Sequence, residues 1–165
     1  MKAKELKQSP DTKILKTQGP VDNLEHHLHP EWWKRIFNSM YLKTDADVVE
    51  DSGITEREVK FFAHILGIKE EDSLLDLACG QVRHLIELSK KGTYQLFGLD
   101  RSRYLIQRAK SISKKKSLSI NFKEGDARKL PYPTDSFDFV TILGNSFGYF
   151  ETTDDDVKIL KEILR

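Results

Sequence analysis

Residues 73–80 read Ser-Leu-Leu-Asp-Leu-Ala-Cys-Gly, and the fold of this chain is built around them. The first five residues are typical of a buried strand, and the turn after them ends in a glycine. A helix is predicted over 82–91, closed by Gly92. A helix that begins directly after such a turn offers free backbone N–H groups and a partial positive charge, which suit a carboxylate or a phosphate. One glycine turn is by itself a weak indication of a ligand-binding fold, so the neighbouring strands and helices are needed to support it.

Three more strands are predicted after this turn, over 94–99, 117–122 and 137–143. A helix is predicted to begin at Ser102, and a last helix at Thr153 or Asp154. Alternation of strands and helices implies parallel strands that are joined by right-handed crossovers and covered on both faces. The sequence therefore predicts an α/β fold with a Rossmann-like, doubly wound and mostly parallel sheet.

The part of the chain before residue 55 is predicted to contain two segments. Residues 1–24 are rich in lysine and poor in apolar periodicity, which is typical of a flexible arm. Residues 25–54 are predicted to form a helical cap segment, with helical spacing of Trp33, Ile36, Phe37, Met40 and Tyr41. We favour packing of these side chains on the core, and the alternative is a lid over a ligand. Residues 55–165, which start with a Thr55–Glu58 capping box, form the predicted binding domain.

The composition fits one soluble, globular domain of 165 residues, with 38% hydrophobic and 32% charged residues. The net charge of +1 provides no general attraction to nucleic acid or to an anionic membrane, so neither partner is expected. No apolar run reaches membrane-spanning length, and the N-terminus lacks the apolar region of a signal peptide. The single cysteine, Cys79, excludes an intrachain disulfide, which fits a cytoplasmic location.

Polar or glycine residues fall at the carboxyl end of each predicted strand, where ligands bind in such folds. Asp100 lies 20 positions after Gly80, and a carboxylate there can accept hydrogen bonds from both hydroxyls of a ribose. Asp126 follows the third strand and can accept from an adenine amino group, with an ordinary turn as the alternative. Residues 143–149, Leu-Gly-Asn-Ser-Phe-Gly-Tyr, are typical of a loop that faces a substrate.

Taken together, these segments resemble the class I S-adenosylmethionine-dependent methyltransferases over roughly residues 55–165. Residues 76–84, Asp-Leu-Ala-Cys-Gly-Gln-Val-Arg-His, are similar to the first motif of that family. Its later motifs are matched by residues 98–102, 125–127 and 130–140. Residues 145–149 are similar to small-molecule methyltransferases related to the glycine methyltransferases. The resemblance implies S-adenosylmethionine as the cofactor.

The resemblance also implies a role for each residue of the site. The turn of Ala78, Cys79 and Gly80 faces the methionine part of the cofactor. Asp76 orders this turn or meets the ammonium group of the ligand, and Asp100 binds the ribose. The adenine and sulfonium contacts fall to four more residues: Arg101 flanking the adenine, Asp126 and Ala127 at its edge, and Leu143 beneath the sulfonium.

Two features depart from the family pattern. Val82 stands where the family usually has glycine, so its Cβ blocks the cofactor or strains the turn, and Val82→Gly is expected to strengthen cofactor binding. The chain ends at Arg165, so the domain is expected to be incomplete after the fourth strand, with an apolar open edge over 137–143. A homo-oligomer or a complementing chain is expected at this edge. The last helix is expected to expose one apolar face, formed by Val157, Leu160 and Leu164.

These features predict methyl transfer from S-adenosylmethionine to a small-molecule acceptor, by in-line attack of the acceptor on the sulfonium methyl. No catalytic residue is assigned, because positioning and desolvation suffice for an acceptor amine that is already neutral. One alternative is a non-catalytic or fragmentary S-adenosylmethionine-binding protein. A nicotinamide-dependent oxidoreductase is a weaker alternative, because the dinucleotide pattern Gly-x-Gly-x-x-Gly fails at Val82 and Leu85.

Other reactive side chains have simpler interpretations. The group of His26, His27 and His29 fits no zinc template, so no metal is expected. His84 is a candidate base, but a packed or hydrogen-bonded histidine is favoured. Cys79 has no evident activating partner and is expected to be a small buried residue of the turn rather than a nucleophile.

Overall fold

The structure is a computed structural model that describes residues 27–29, 31–44, 51–150 and 152–165. Contacts divide the chain into two units, Met1–Trp32 and Trp33–Arg165. In the described part of the first unit, the Trp32 N–H donates to the His29 carbonyl at 2.8 Å, and the Glu31 N–H donates to its imidazole at 3.1 Å. The predicted arm over residues 1–24 lies outside the described residues.

From residue 73 onward the second unit alternates strands and helices, except that a loop joins β3 to β4, as the sequence predicts. Its helices are α1 (Trp33–Ile36), α2 (Tyr41–Thr44), α3 (Ser52–Leu66), α4 (Arg83–Leu88), α5 (Arg103–Lys115) and α6 (Thr153–Ile163). Its strands are β1 (Ser73–Leu77), β2 (Gln95–Asp100), β3 (Ile120–Glu124) and β4 (Phe139–Ile142). Among the described residues, no helix combines the length and the apolar composition that a membrane crossing requires.

The four strands form one parallel sheet in the order β3-β2-β1-β4. Leu77 at the end of β1 pairs with Leu99 on β2 and with Ile142 on β4, so these three strands end at the same edge. The turns that follow them are therefore brought together, although they lie far apart along the chain.

Two apolar clusters cover the two faces of the sheet. Alternation along β1 sends Leu74 into one cluster and Leu75 and Leu77 into the other, because successive strand residues point to opposite faces. The first cluster also contains Val59 from α3, and the second contains Ile159 from α6. Burial of each such aliphatic side chain stabilises the fold by about 1.5–3 kcal/mol, which makes this double covering the main stabilising feature.

Several predicted boundaries differ from the observed ones. The third strand is predicted from residue 117, but Ser117 has a φ of +55° and closes the C-terminal end of α5. The Leu118 N–H donates to the Ser113 carbonyl at 3.0 Å, so the chain is still capping the helix and β3 begins only at Ile120. The fourth strand and the helix after the glycine turn are both shorter than predicted, at 139–142 and 83–88.

The predicted capping box at Thr55 and Glu58 is wrong, because helix α3 already starts at Ser52, three residues before Thr55. Its N-cap is Asp51, whose carboxylate accepts from the N–H groups of Gly53 and Ile54 at 2.8 and 3.0 Å. Thr55 is buried inside the first turn, and Glu58 binds side chains of α4 instead of a backbone N–H. Helix α6 is likewise capped one residue earlier than expected, by Thr152.

The single helix predicted over the aromatic residues is interrupted. Asn38 accepts from the Met40 N–H at 2.7 Å and donates to the Arg35 carbonyl at 2.6 Å, so its amide competes with helical hydrogen bonds. Two four-residue helices, α1 and α2, flank this bend. Ile36 and Met40 are exposed, which corrects their predicted place in the core.

The expected exposure of the last helix is confirmed. Val157, Leu160 and Leu164 are all exposed, whereas Ile159 is the buried residue of α6. Among the described strands, β4 has β1 as its one neighbour, so its other side forms an edge of the sheet.

Candidate functional site

A cavity opens at the carboxyl ends of the strands. Three of its walls are the turns after β1, β2 and β3, which contribute Ala78 and Gly80, residues 100–102, and residues 125–127. The remaining wall is aromatic and comes from α1, α2, the segment between them and the loop after β4: Trp33, Phe37, Tyr41, Tyr149 and Phe150. Six of the nine predicted site residues therefore line this cavity, and each of the three turns supplies polar groups to it.

The turn after β1 is conformationally unusual. Ala78, Gly80 and Val82 all have positive φ angles, of +55°, +50° and +68°. Only glycine adopts this region without steric cost, and each L-residue there costs about 1–2 kcal/mol. The turn therefore holds strain, which the surrounding structure compensates, and it points the Gly80 N–H at Asp100.

Asp100 is held in place by two backbone donors. The Gly80 N–H donates to its Oδ2 at 2.9 Å and the Ser102 N–H donates to its Oδ1 at 2.7 Å. The side chain is only 8% exposed, and burial raises the pKa of this carboxyl while the two hydrogen bonds oppose the rise. Each oxygen keeps further acceptor capacity, which suits a pair of hydroxyl donors such as a ribose diol.

Asp126 lies between two arginines, Arg101 and Arg128. Arg128 donates to both of its oxygens, with Nε 3.0 Å from Oδ1 and Nη2 2.6 Å from Oδ2. Arg101 places Nη1 3.6 Å from Oδ2. Burial works to raise the pKa of Asp126, but the hydrogen bonds and charges of the arginines outweigh it and hold the pKa below its usual value. The carboxylate therefore stays charged and available as an acceptor.

The favoured interpretation of the sequence packs Trp33, Phe37 and Tyr41 on the core, and Trp33 is buried as that interpretation expects. Trp33, Phe37 and Tyr41 line the cavity, as the lid alternative requires. Ser102 donates its hydroxyl to the Phe37 carbonyl at 2.6 Å, which ties this segment to the turn that carries Asp100. Trp33, Phe37 and Tyr41 are spaced four residues apart, and in the sequence this spacing is the signal that the three side chains point the same way.

Cations and rings alternate along this wall. The Arg101 guanidinium lies 4.3 Å from the Trp33 ring centroid, and the Arg128 guanidinium lies 4.3 Å from that of Phe150. The two rings meet edge to face, with centroids 4.9 Å apart. Arg101 and Ala127 both line the cavity.

Three predicted site residues do not line the cavity. Asp76 is 2% exposed and faces Thr141, whose hydroxyl donates to Oδ1 at 3.2 Å, while Oδ2 has no hydrogen-bond partner among the described residues. Burial raises the pKa of Asp76 to about 7. Cys79 is buried in the first apolar cluster, and burial raises its thiol pKa well above the usual value. Leu143 is the third of these residues, and its neighbour Ile142 lines the cavity instead.

Val82 and His84, the other two residues discussed in the sequence analysis, lie at the start of α4. The Val82 side chain is fully buried in the first apolar cluster, so its positive φ, and not an intrusion into the cavity, is what departs from the family pattern. The His84 Nε2 lies 3.1 Å from the Glu58 carboxylate, which also binds Arg83. Burial and the neighbouring Arg83 lower the pKa of His84. The favoured interpretation, a packed and hydrogen-bonded histidine, is confirmed.

In the described part of the chain, no group of three or more His, Cys, Asp or Glu side chains is placed to hold a metal ion. His26 lies outside that part of the chain, so the expectation for the group of His26, His27 and His29 stays a prediction.

Comparison with known sequences identifies relatives of this chain. The profile of a family described as "Methyltransferase domain" matches residues 74–165, more than half of the chain. Sterol 24-C-methyltransferase of Pneumocystis carinii is 37% identical over 118 residues, 70% of this chain and 30% of that protein. Demethylmenaquinone methyltransferase of Lactobacillus johnsonii is 38% identical over 110 residues, 64% of this chain and 43% of that protein.

A third relative extends over more of the chain. The ubiquinone/menaquinone biosynthesis C-methyltransferase UbiE of Bdellovibrio bacteriovorus is 32% identical over 142 residues, 85% of this chain and 59% of that protein. The chain thus spans less than two thirds of the length of each of these relatives.

Solved structures share the fold at lower identity. A protein from Methanococcus maripaludis gives a TM-score of 0.67 at 19% identity, over 78% of this chain and 60% of that one. An S-adenosylmethionine-dependent methyltransferase from Clostridium acetobutylicum gives a TM-score of 0.62 at 19% identity, over 74% and 50% of the two chains. These structures support the α/β sheet and its covering helices.

Proposed function

The chain belongs to the class I S-adenosylmethionine-dependent methyltransferase family, and we propose that it forms the cofactor-binding part of an enzyme that methylates a small molecule. S-adenosylmethionine is the cofactor of this family, and when bound it supplies a methyl group on a positively charged sulfur. The relatives named for sterol and demethylmenaquinone methylation support a small-molecule acceptor, and the net charge of +1 gives no reason to expect nucleic acid.

The residues of the cavity fit this cofactor. Asp100 has both oxygens oriented by backbone donors, which suits the two ribose hydroxyls. Asp126 is a charged acceptor for the adenine amino group, beside Arg101 and Ala127. The strained turn at Ala78 and Gly80 presents backbone to the same space, where the methionine part would lie.

One observation carries the proposal: the 2.9 Å hydrogen bond from the Gly80 N–H to the Asp100 carboxylate. It joins the turn after β1 to the turn after β2, so the groups for two parts of one ligand are fixed relative to each other. Such preorganisation lowers the entropic cost of ordering the site when the ligand binds.

For the transfer itself we infer an in-line approach of the acceptor from the aromatic wall. Phe37 contacts Tyr41 and Tyr149 edge to face, with ring centroids 5.1 and 5.6 Å away. These rings exclude water and orient an acceptor, and desolvation of its nucleophilic atom favours attack. We assign no catalytic base. We also infer a cytoplasmic location, supported by the single, unpaired Cys79 and testable by cell fractionation.

Calorimetry tests the proposal with the 165-residue chain and three ligands: S-adenosylmethionine, S-adenosylhomocysteine and NAD. We expect binding of the first two and weaker or no binding of NAD. Asp100→Asn should weaken binding, while the matched control Asp154→Asn, at an exposed site on α6, should not. Tighter binding of NAD would overturn the proposal. Binding without methyl transfer to any sterol or quinone acceptor would favour a non-catalytic cofactor-binding protein.

A further inference from the structure

Arg128 lies outside the cavity but contacts the residues that shape one wall of it. Its guanidinium donates two parallel hydrogen bonds to Asp126, from Nε at 3.0 Å and from Nη2 at 2.6 Å. The Arg128 backbone N–H adds a third, to Oδ1 at 3.0 Å. A planar guanidinium that binds a carboxylate through two hydrogen bonds fixes its orientation as well as its charge, which an ammonium does not.

The other end of the guanidinium is anchored as well. Nη1 lies 3.1 Å from Oδ2 of Asp155, in the first turn of α6, and the plane packs on the Phe150 ring. Arg128 therefore connects the turn after β3 to the loop after β4 and to α6. Because its partners come from three segments, Arg128 has little freedom to release Asp126.

The hydrogen bonds of Arg128 leave Asp126 a restricted set of free acceptor positions. Oδ1 accepts from both the backbone N–H and Nε of Arg128, which accounts for its two lone pairs. Oδ2 accepts from Nη2, and the Arg101 Nη1 at 3.6 Å lies beyond hydrogen-bond distance. One lone pair on Oδ2 is thus the position from which Asp126 can bind a further donor.

We propose that Arg128 is a positioning residue that directs Oδ2 of Asp126 toward the 6-amino group of the bound adenine. The inference rests on the proposed function, because it concerns the base of the same cofactor. It assigns base discrimination to a residue that does not touch the ligand. A ligand with a 6-oxo group would set an acceptor against this acceptor, and a fixed carboxylate cannot rotate to avoid it.

The test compares S-adenosylhomocysteine with its inosine analogue, which carries a 6-oxo group, by calorimetry on the 165-residue chain. The wild-type protein should prefer the 6-amino compound by about tenfold or more, the usual effect of losing a hydrogen bond to a charged group. Arg128→Met should reduce that preference by about fivefold or more. Lys158→Met is the matched control, because Lys158 binds Asp155 at 2.8 Å but does not contact Asp126, and it should keep the preference.

Arg128→Lys provides a second variant that keeps the positive charge but loses the paired hydrogen bonds, so it decides the question if Arg128→Met fails to give a cooperative melting transition. Equal weakening of both ligands, with the preference unchanged, would show that Arg128 only stabilises the loop and would overturn the inference. Binding of both ligands by the wild-type protein without preference would overturn it too, while the proposed function stands. Failure of the wild-type protein to bind either ligand would reject both.

Discussion

The buried carboxyl of Asp76 should make the stability of this protein fall as the pH rises from about 4 to about 7. The side chain lies at the centre of the sheet, with Thr141 as its hydrogen-bond donor and Oδ2 without a partner among the described residues. Burial raises its pKa from 3.8 to about 7, and the charge of Asp100 adds to the rise. In the unfolded chain the group ionises near its ordinary value, in water.

The sign and the size follow from proton linkage. The folded state holds a proton on Asp76 through the window from about 4 to about 7, and the unfolded state does not, so raising the pH favours unfolding. The stability is fully present below the unfolded pKa and is lost as the pH approaches the folded one. A pKa difference of one corresponds to about 1.4 kcal/mol, so the whole window corresponds to about 4 kcal/mol.

Asp76→Asn removes the titration and keeps an oxygen that can accept from Thr141. Urea denaturation at pH 5, 6, 7 and 8 measures the free energy of unfolding of both proteins. We expect the difference between variant and wild type to shift in favour of the variant by about 3 kcal/mol between pH 5 and 8, whatever its value at pH 5.

Two controls sharpen this measurement. Thr141→Val removes a hydrogen bond that lowers the Asp76 pKa, so the loss of stability should extend above pH 7. Asp154→Asn, at an exposed aspartate, should leave the pH dependence unchanged. A difference between Asp76→Asn and wild type that stays constant from pH 5 to 8 would refute the reasoning, because Asp76 would then titrate alike in both states.

Three further predictions follow from the site and the sheet. Asp100→Ala removes an anchored acceptor, so S-adenosylhomocysteine affinity should fall by about tenfold to a hundredfold in calorimetry; an unchanged Kd would exclude a ribose contact. Val82→Gly relieves about 1–2 kcal/mol of φ strain but loses about 1.5–3 kcal/mol of burial, so unfolding free energy should fall by about 1 kcal/mol. Cofactor affinity should change less than about threefold, because the side chain lies outside the cavity; tighter binding would restore the expectation from the sequence. The β4 edge and the exposed Val157 and Leu160 should make the 165-residue chain self-associate, and Leu160→Lys should reduce the mass measured by light scattering; a stable wild-type monomer would contradict this.

Local patterns were enough to predict the sheet and the polar turns that follow its strands, although not every strand boundary. The apolar run at Leu74–Leu77 and the glycine and aspartate residues after it are local signals, since strand periodicity and turn preference act over a few residues. Parallel pairing then follows from the strand–helix order, and it brings Gly80, Asp100 and Asp126 to one cavity. Arg101 and Ala127 line the same cavity, and their contact with the adenine stays a prediction.

What only the tertiary structure decided depends on contacts between distant segments. The direction of the aromatic wall rests on the bond from Ser102 to the Phe37 carbonyl, across 65 positions of sequence. The side of the turn to which Val82 points depends on the first apolar cluster, to which Val59 also belongs and which no local pattern specifies. The proton affinity of Asp76 is set by its burial within the central strand of the sheet. Desolvation and long-range packing are properties of the folded chain, so a sequence names the residues that are available but not the environment that each one meets.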